Sequence, residues 1–155
     1  YVAFDGKGVA YLMDLWGTNV WRQAADGSFA RIGSFKAPGI GTFGAFTDAD
    51  LLSFERFSVD PQGRCYATGV TDGTADGKAD GAVDGTQYVQ RIARLDPATG
   101  KVEAIAGPGA RLLAGSGPAD GVGSANGLAV SPEGDLYVAD IHGRTVRKIP
   151  AADLR

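Results

Sequence analysis

The chain has 155 residues, enough for one domain with a real core, and 15 basic against 18 acidic side chains give a net charge of −3. No Lys/Arg block stands out, so nucleic acid is a poor partner, and no apolar run approaches the length of a membrane span. A single cysteine excludes an intrachain disulfide framework, while 24 glycines, gathered at turns and loops, fit many short strands rather than disorder.

Taken in order, the chain writes a first unit over residues 2–35. Val2–Phe4, Val9–Met13 and Asn19–Gln23 read as three strands, and Ala24-Ala25-Asp26-Gly27 turns into a fourth at Phe29–Phe35, Asp-Gly being a strong hairpin signal. The chain opens on Tyr1 already within a strand and shows no leader pattern there. That leaves room for a leader already removed and makes a periplasmic or secreted setting the expectation. Residues 36–53 then interrupt the pattern; Thr47 with Asp50 three residues on is placed to cap one helical turn before the next strand.

A second unit over 54–106 has strands at Phe57–Val59, Arg64–Thr68, Tyr88–Leu95 and Val102–Ala106, with a turn at Asp96–Gly100. Its long loop places Asp72, Asp76, Asp80 and Asp84 at intervals of four, each followed by Gly. Such a ladder is a candidate weak calcium loop. Its spacing matches neither an EF-hand nor a nine-residue calcium repeat, and a long hairpin tip explains it as well. Cys65 falls on the second strand and reads as a buried, inert thiol. A Gly-rich connection over 107–125 leads to a third unit at 126–155, with strands Leu128–Val130, Leu136–Ala139 and Thr145–Ile149. Turns at Ser131–Gly134 and Ile141–Arg144 each offer a Gly for a positive φ. No fourth strand is written after Pro150, so an open edge is expected there, suited to a partner strand.

The units superpose. Ala3, Gly8, Tyr11, Asp14, Gly17 and Val20 fall on Ala129, Gly134, Tyr137, Asp140, Gly143 and Val146, and Val59, Pro61, Gly63 and Tyr66 fall on Val130, Pro132, Gly134 and Tyr137. The middle strand is apolar on both faces, with Leu136 and Val138 on one and Tyr137 and Ala139 on the other. A sheet with one wet face is not written that way, whereas blades stacked around a ring are. A sandwich explains the strands but not the repeat. The expectation is an all-β propeller segment of about three four-stranded blades, the last incomplete. Such a segment needs further chain, a partner or a second copy to close the ring.

Gly115–Ile149, with its Gly/Asp-rich lead-in, YVAD and a basic strand ending in Ile, resembles the NHL repeat of six-bladed propellers. NGLAVSPEG, RFSVDPQGR and ARLDPATGKV are also similar to segments of the senescence-marker-protein/gluconolactonase propellers. The first resemblance implies a binding platform, the second a divalent-metal hydrolase, and fold analogy does not choose between them.

In an antiparallel blade the start of the first strand lies beside the end of the second, so Asn126 and Asp140 share a rim near the central channel. The same frame carries them to Glu55 and Gly69 in unit two, and Asp140 to Asp14 in unit one. The gluconolactonase resemblance makes Asn126 a ligand of one divalent cation such as calcium, with Glu55 standing where that family usually has Asn. The family's N-terminal glutamate ligand has no counterpart. Asp14 and Asp140 also read as strand-end acceptors for loop N–H groups. His142, the single histidine, is equivalent to Trp16; the two are a candidate general base and a candidate stacking surface, or solvated loop residues. Arg144, Arg147 and Lys148 read as blade-edge solvation. The leading functional expectation is a binding or scaffold module acting through rim loops; the alternative is part of a metal-dependent lactonase with Glu55 and Asn126 as ligands.

Overall fold

The computed structural model describes residues 1–14, 19–35, 53–71, 89–106, 125–140 and 144–154. None of these is helical. Blade one is a sheet of four strands in chain order, β1 (Val2–Phe4), β2 (Ala10–Met13), β3 (Val20–Gln23) and β4 (Phe29–Gly33). Blade two repeats the order with β5 (Ser53–Val59), β6 (Cys65–Thr71), β7 (Val89–Leu95) and β8 (Val102–Ala106). Blade three has, among the described residues, β9 (Ala125–Val130), β10 (Leu136–Asp140) and β11 (Thr145–Ile149). Every pairing is antiparallel between chain neighbours. The first strands β1, β5 and β9 touch in succession, so the blades stack radially with those strands innermost. This is a β-propeller segment.

Two features make the first turn of each blade. Asp5, Asp60 and Ser131 open it, and Gly8, Gly63 and Gly134 close it at φ of 77°, 83° and 91°. The closing N–H donates to the opening carbonyl at 2.9–3.0 Å in all three. The opening side chain then caps the turn: Asp5 Oδ1 accepts from the Lys7 and Val9 amides, Asp60 Oδ1 from those of Gln62 and Arg64, and Ser131 Oγ from that of Asp135.

The core is split between the two blade junctions. Tyr11, Met13, Val20, Phe35, Phe57, Val59, Cys65, Ala67 and Leu95 fill the first; Tyr66, Ile92, Ile105, Ala125, Leu136, Val138, Ile149 and Leu154 fill the second. Blade two is therefore covered on both sides, its β6 sending Cys65 and Ala67 one way and Tyr66 the other. On blade three, Leu136 and Val138 are buried while Tyr137 and Ala139 on the opposite face are only half-buried.

Strand bounds differ from the sequence reading in an instructive way. β5 begins at Ser53 rather than Phe57 and β9 at Ala125 rather than Leu128, because a bulge carries each ladder through polar residues that break apolar alternation. β4 ends at Gly33 rather than Phe35, yet Phe35 is fully buried, edge-on to Phe57 with ring centroids 6.5 Å apart. In the turn before β11 the positive φ belongs to Arg144 at 49°, while Gly143 lies outside the described residues, as does the proposed helical turn after Thr47.

Candidate functional site

The two bulges coincide in the repeat. On blade two Phe54 faces Gly69 and Arg56 faces Thr68, leaving Glu55 as the extra residue; on blade three Ala125 faces Asp140 and Gly127 faces Ala139, leaving Asn126. Glu55 and Asn126 thus occupy equivalent bulge positions on adjacent inner strands, at the end away from the Asp60 and Ser131 turns. A bulge bends the strand and re-aims its extra residue, which is why bulges recur beside functional sites.

Arg56 joins the two blades here, its Nε donating to the Asn126 carbonyl at 2.6 Å. Thr68, across the ladder from Arg56, is fully buried and its Oγ1 meets no hydrogen-bond partner among the described residues. The Glu55 side chain, Trp16, His142 and the Asp72, Asp76, Asp80 and Asp84 ladder lie outside what the structure describes. Among the described residues no three His, Cys, Asp or Glu side chains converge.

Asp14 directly follows β2 and Asp140 ends β10 at this same rim. Asp140 is buried and accepts from Arg147 Nε at 3.1 Å. Asp14 accepts from Asn19 Nδ2 at 2.8 Å, and Asn19 Oδ1 in turn accepts from Arg31 Nε at 2.7 Å. Arg147 and Lys148 are therefore not simply edge solvation, as their sequence positions suggested. Lys148 pairs with Asp135 at 2.5 Å and lies over the Tyr137 ring, 5.8 Å from its centroid, while Arg144 is exposed. The hydrogen bond between them holds the Asp135 carboxyl below its ordinary range and the Lys148 ammonium above its own.

At the opposite end of the blades the structure brings together a set that sequence reasoning missed. Asp60 is fully buried; its Oδ2 accepts from Tyr66 Oη at 3.2 Å and Arg64 Nε at 2.5 Å. Blade one repeats this with Tyr11 Oη donating to Asp5 Oδ2 at 3.4 Å, and Arg22 Nε donating to Tyr11 Oη at 3.0 Å. Each of these tyrosines faces a cation on the next strand: Tyr11 faces Arg22, Tyr66 faces Arg94 and Tyr137 faces Lys148. Burial first, and the Asp60 charge second, push the Tyr66 hydroxyl up to about 12. The same two causes in the same order raise the Cys65 thiol. The signal was available, an Asp six residues before Tyr11 and before Tyr66, with Ser131 in that place before Tyr137, but the repeat frame was anchored on Gly and Tyr and passed over it.

No protein-family model matches the sequence, and no curated protein does. Solved structures do. One is a protein of unknown function from Bacteroides thetaiotaomicron, at 18% identity and TM-score 0.54, covering 96% of this chain and 34% of that one. Another is a putative gluconolactonase, at 18% identity and TM-score 0.51, covering 95% of this chain and 43% of that one. A third, a gluconolactonase of Xanthomonas campestris, aligns at 16% identity with TM-score 0.40 over 97% of this chain and 58% of that one. The first two support the propeller fold, and this chain spans less than half the length of either.

Proposed function

We propose that this chain is part of a larger β-propeller that serves as a binding module of the NHL kind, recognising its ligand at the channel end of β5 and β9. The observation that carries this reading is the coincident pair of bulges. They put an acid, Glu55, and an amide, Asn126, at equivalent inner positions, with the Arg56 guanidinium spanning them to the Asn126 carbonyl. A mixed set of acid, amide and cation suits recognition of a polar partner better than it suits a hard dication. Such an ion wants six to eight oxygens and is repelled by a neighbouring guanidinium.

The open face of blade one supports completion of the ring by further blades. Val2 and Phe4 stand 61% and 63% exposed, although Ala3 between them packs into the first junction. Across the sheet they face Leu12 and Ala10, and Leu12 faces Trp21, so an apolar band crosses three strands. A sheet face of this kind is normally covered.

The alternative, part of a divalent-metal lactonase, draws on the buried unsatisfied Thr68 hydroxyl beside the bulge. Thermal melts with and without calcium, magnesium or zinc separate the two. The binding reading expects the same midpoint in wild type and Asn126→Ala under every cation. A cation-dependent rise in wild type that vanishes in Asn126→Ala replaces it with the hydrolase reading.

A further inference from the structure

A cavity of about 350 Å³ opens between blades one and two at the turn end, remote from the bulges, within the size range of small-molecule pockets. Lys7, Arg22 and Asp5 line its polar side; Ile32, Pro61 and Pro97 line its apolar side. Asp5 is already engaged by two backbone amides and Tyr11. Arg22 hydrogen-bonds only through its Nε, to Tyr11, whose ring its guanidinium overlies 5.9 Å from the centroid, so among the described residues its outer N–H groups and the Lys7 ammonium meet no acceptor.

The repeat shows what belongs there. The blade-two counterpart of Arg22 is Arg94, each facing the tyrosine of its own middle strand. Arg94 donates from Nη2 to Glu103 and from Nη1 to the Leu154 carbonyl, which Arg64 also reaches at 3.1 Å. The Leu154 side chain is fully buried beside Ile105 and Tyr66.

The first junction differs at two places. Arg22 faces Ala30 across the ladder where Arg94 faces Glu103, so the carboxylate is missing. The fifth residue after Leu95 is Gly100, beside Ile32, whereas the fifth after Ile149 is Leu154; Leu95 and Ile149 close equivalent ladders. Ile32 and Ile105 also match, since each sits at the bulge of its fourth strand. Among the described residues, the first junction therefore has no counterpart of the Glu103 carboxylate or of the Leu154 side chain.

We infer that the cavity between blades one and two binds a small carboxylic acid with a branched apolar side chain, its carboxylate on Arg22 and Lys7 and its side chain against Ile32, Pro61 and Pro97. Arginine takes a carboxylate through two parallel N–H donors, and two outer nitrogens are what Arg22 retains.

The test uses N-acetyl-L-leucine and its neutral amide, N-acetyl-L-leucinamide, titrated into the 155-residue protein and followed by two-dimensional NMR. Saturable shifts at the Lys7, Arg22 and Ile32 amides are expected with the acid, with affinity for the amide about tenfold weaker. Ala30→Glu, at an exposed position, supplies the counter-ion that blade two has and is expected to abolish binding while leaving the spectrum otherwise native. Arg22→Gln is expected to do the same by removing the cation. Absence of saturable shifts in the wild type, equal binding of acid and amide, or unchanged binding in a folded Ala30→Glu overturns the inference.

Discussion

Asp60→Ala should be among the most damaging single substitutions in the chain. The carboxylate is fully buried and takes four donors: the Gln62 and Arg64 amides at 2.9 Å, Tyr66 Oη at 3.2 Å and Arg64 Nε at 2.5 Å. Truncation leaves the Tyr66 hydroxyl and two amides without their acceptor and strips Arg64 of its counter-ion, though Arg64 keeps some solvent and the Leu154 carbonyl. Unsatisfied buried groups cost about 1–3 kcal/mol each, and losing one partner of a buried ion pair about 3–5 kcal/mol. Because these terms overlap, the expected loss is about 3–5 kcal/mol, or about 6–20 °C in melting temperature for a chain of this size. The repeat supplies internal controls. Asp5 is only half-buried and its Tyr11 contact is long at 3.4 Å, so Asp5→Ala should cost about 1–2 kcal/mol. Ser131 caps a single amide at 3.2 Å, so Ser131→Ala should cost about 1 kcal/mol or less. Urea denaturation followed by circular dichroism reads all three on one scale. Equal losses at Asp60 and Asp5 would refute the claim that burial sets the ranking.

Gly63→Ala should cost at least about 2 kcal/mol, since φ is +83° and the new Cβ would stand 2.4 Å from Tyr11 Oη; a melting curve matching wild type would show that the turn can relax. The Cys65 thiol, buried and raised by desolvation, should not react with a disulfide reagent at pH 8 until denaturant is added, and prompt labelling of folded protein would contradict its burial. Tyr66 predicts alkaline sensitivity: its folded pKa, about 12, lies above the ordinary 10.0. Its protonated form therefore contributes stability in full below pH 10, and that contribution is lost as pH rises from about 10 to 12. Tyr66→Phe should flatten that decline. Phe4→Ser, on the open face of blade one, should change stability of the 155-residue chain by less than about 0.5 kcal/mol, yet by about 2–4 kcal/mol in any assembly that covers the face.

The fold was legible because it is written in types of residue that strands and turns demand. Alternating apolar pairs such as Leu136 and Val138 gave the middle strands, and Gly8, Gly63 and Gly134 gave the turns. The two outer strands Val102–Ala106 and Thr145–Ile149 appear in the structure with the bounds read from sequence. The inner strands of blades two and three were shortened in the reading for one reason: a bulge spoils period-two alternation, so Glu55-Arg56 and Asn126-Gly127 looked like loop ends. The buried Asp60–Tyr66 pair was missed because an Asp opening a turn is normally solvated, and only its place between two blades takes it out of water. The Arg22 cavity was invisible for the opposite reason, since what marks it in the sequence is two small residues, Ala30 and Gly100, standing where the next blade has Glu103 and Leu154.

These differences divide the labour between the two ends of the blades. At the turn end, an aspartate held by backbone amides meets a tyrosine and then faces a cation across the ladder, twice, and the residues that vary around this frame decide whether a junction is filled or open. A frame so tightly satisfied is rigid, and a rigid frame is what lets one junction keep a vacancy of defined shape without collapsing into it. At the other end, the bulges at Glu55 and Asn126 break the ladder where the inner strands begin, at equivalent positions of neighbouring blades. If that were decoration, a bulge in one blade would not be matched at the same position in the next. Its recurrence on neighbouring strands supports the proposal that a ligand is met at the channel end.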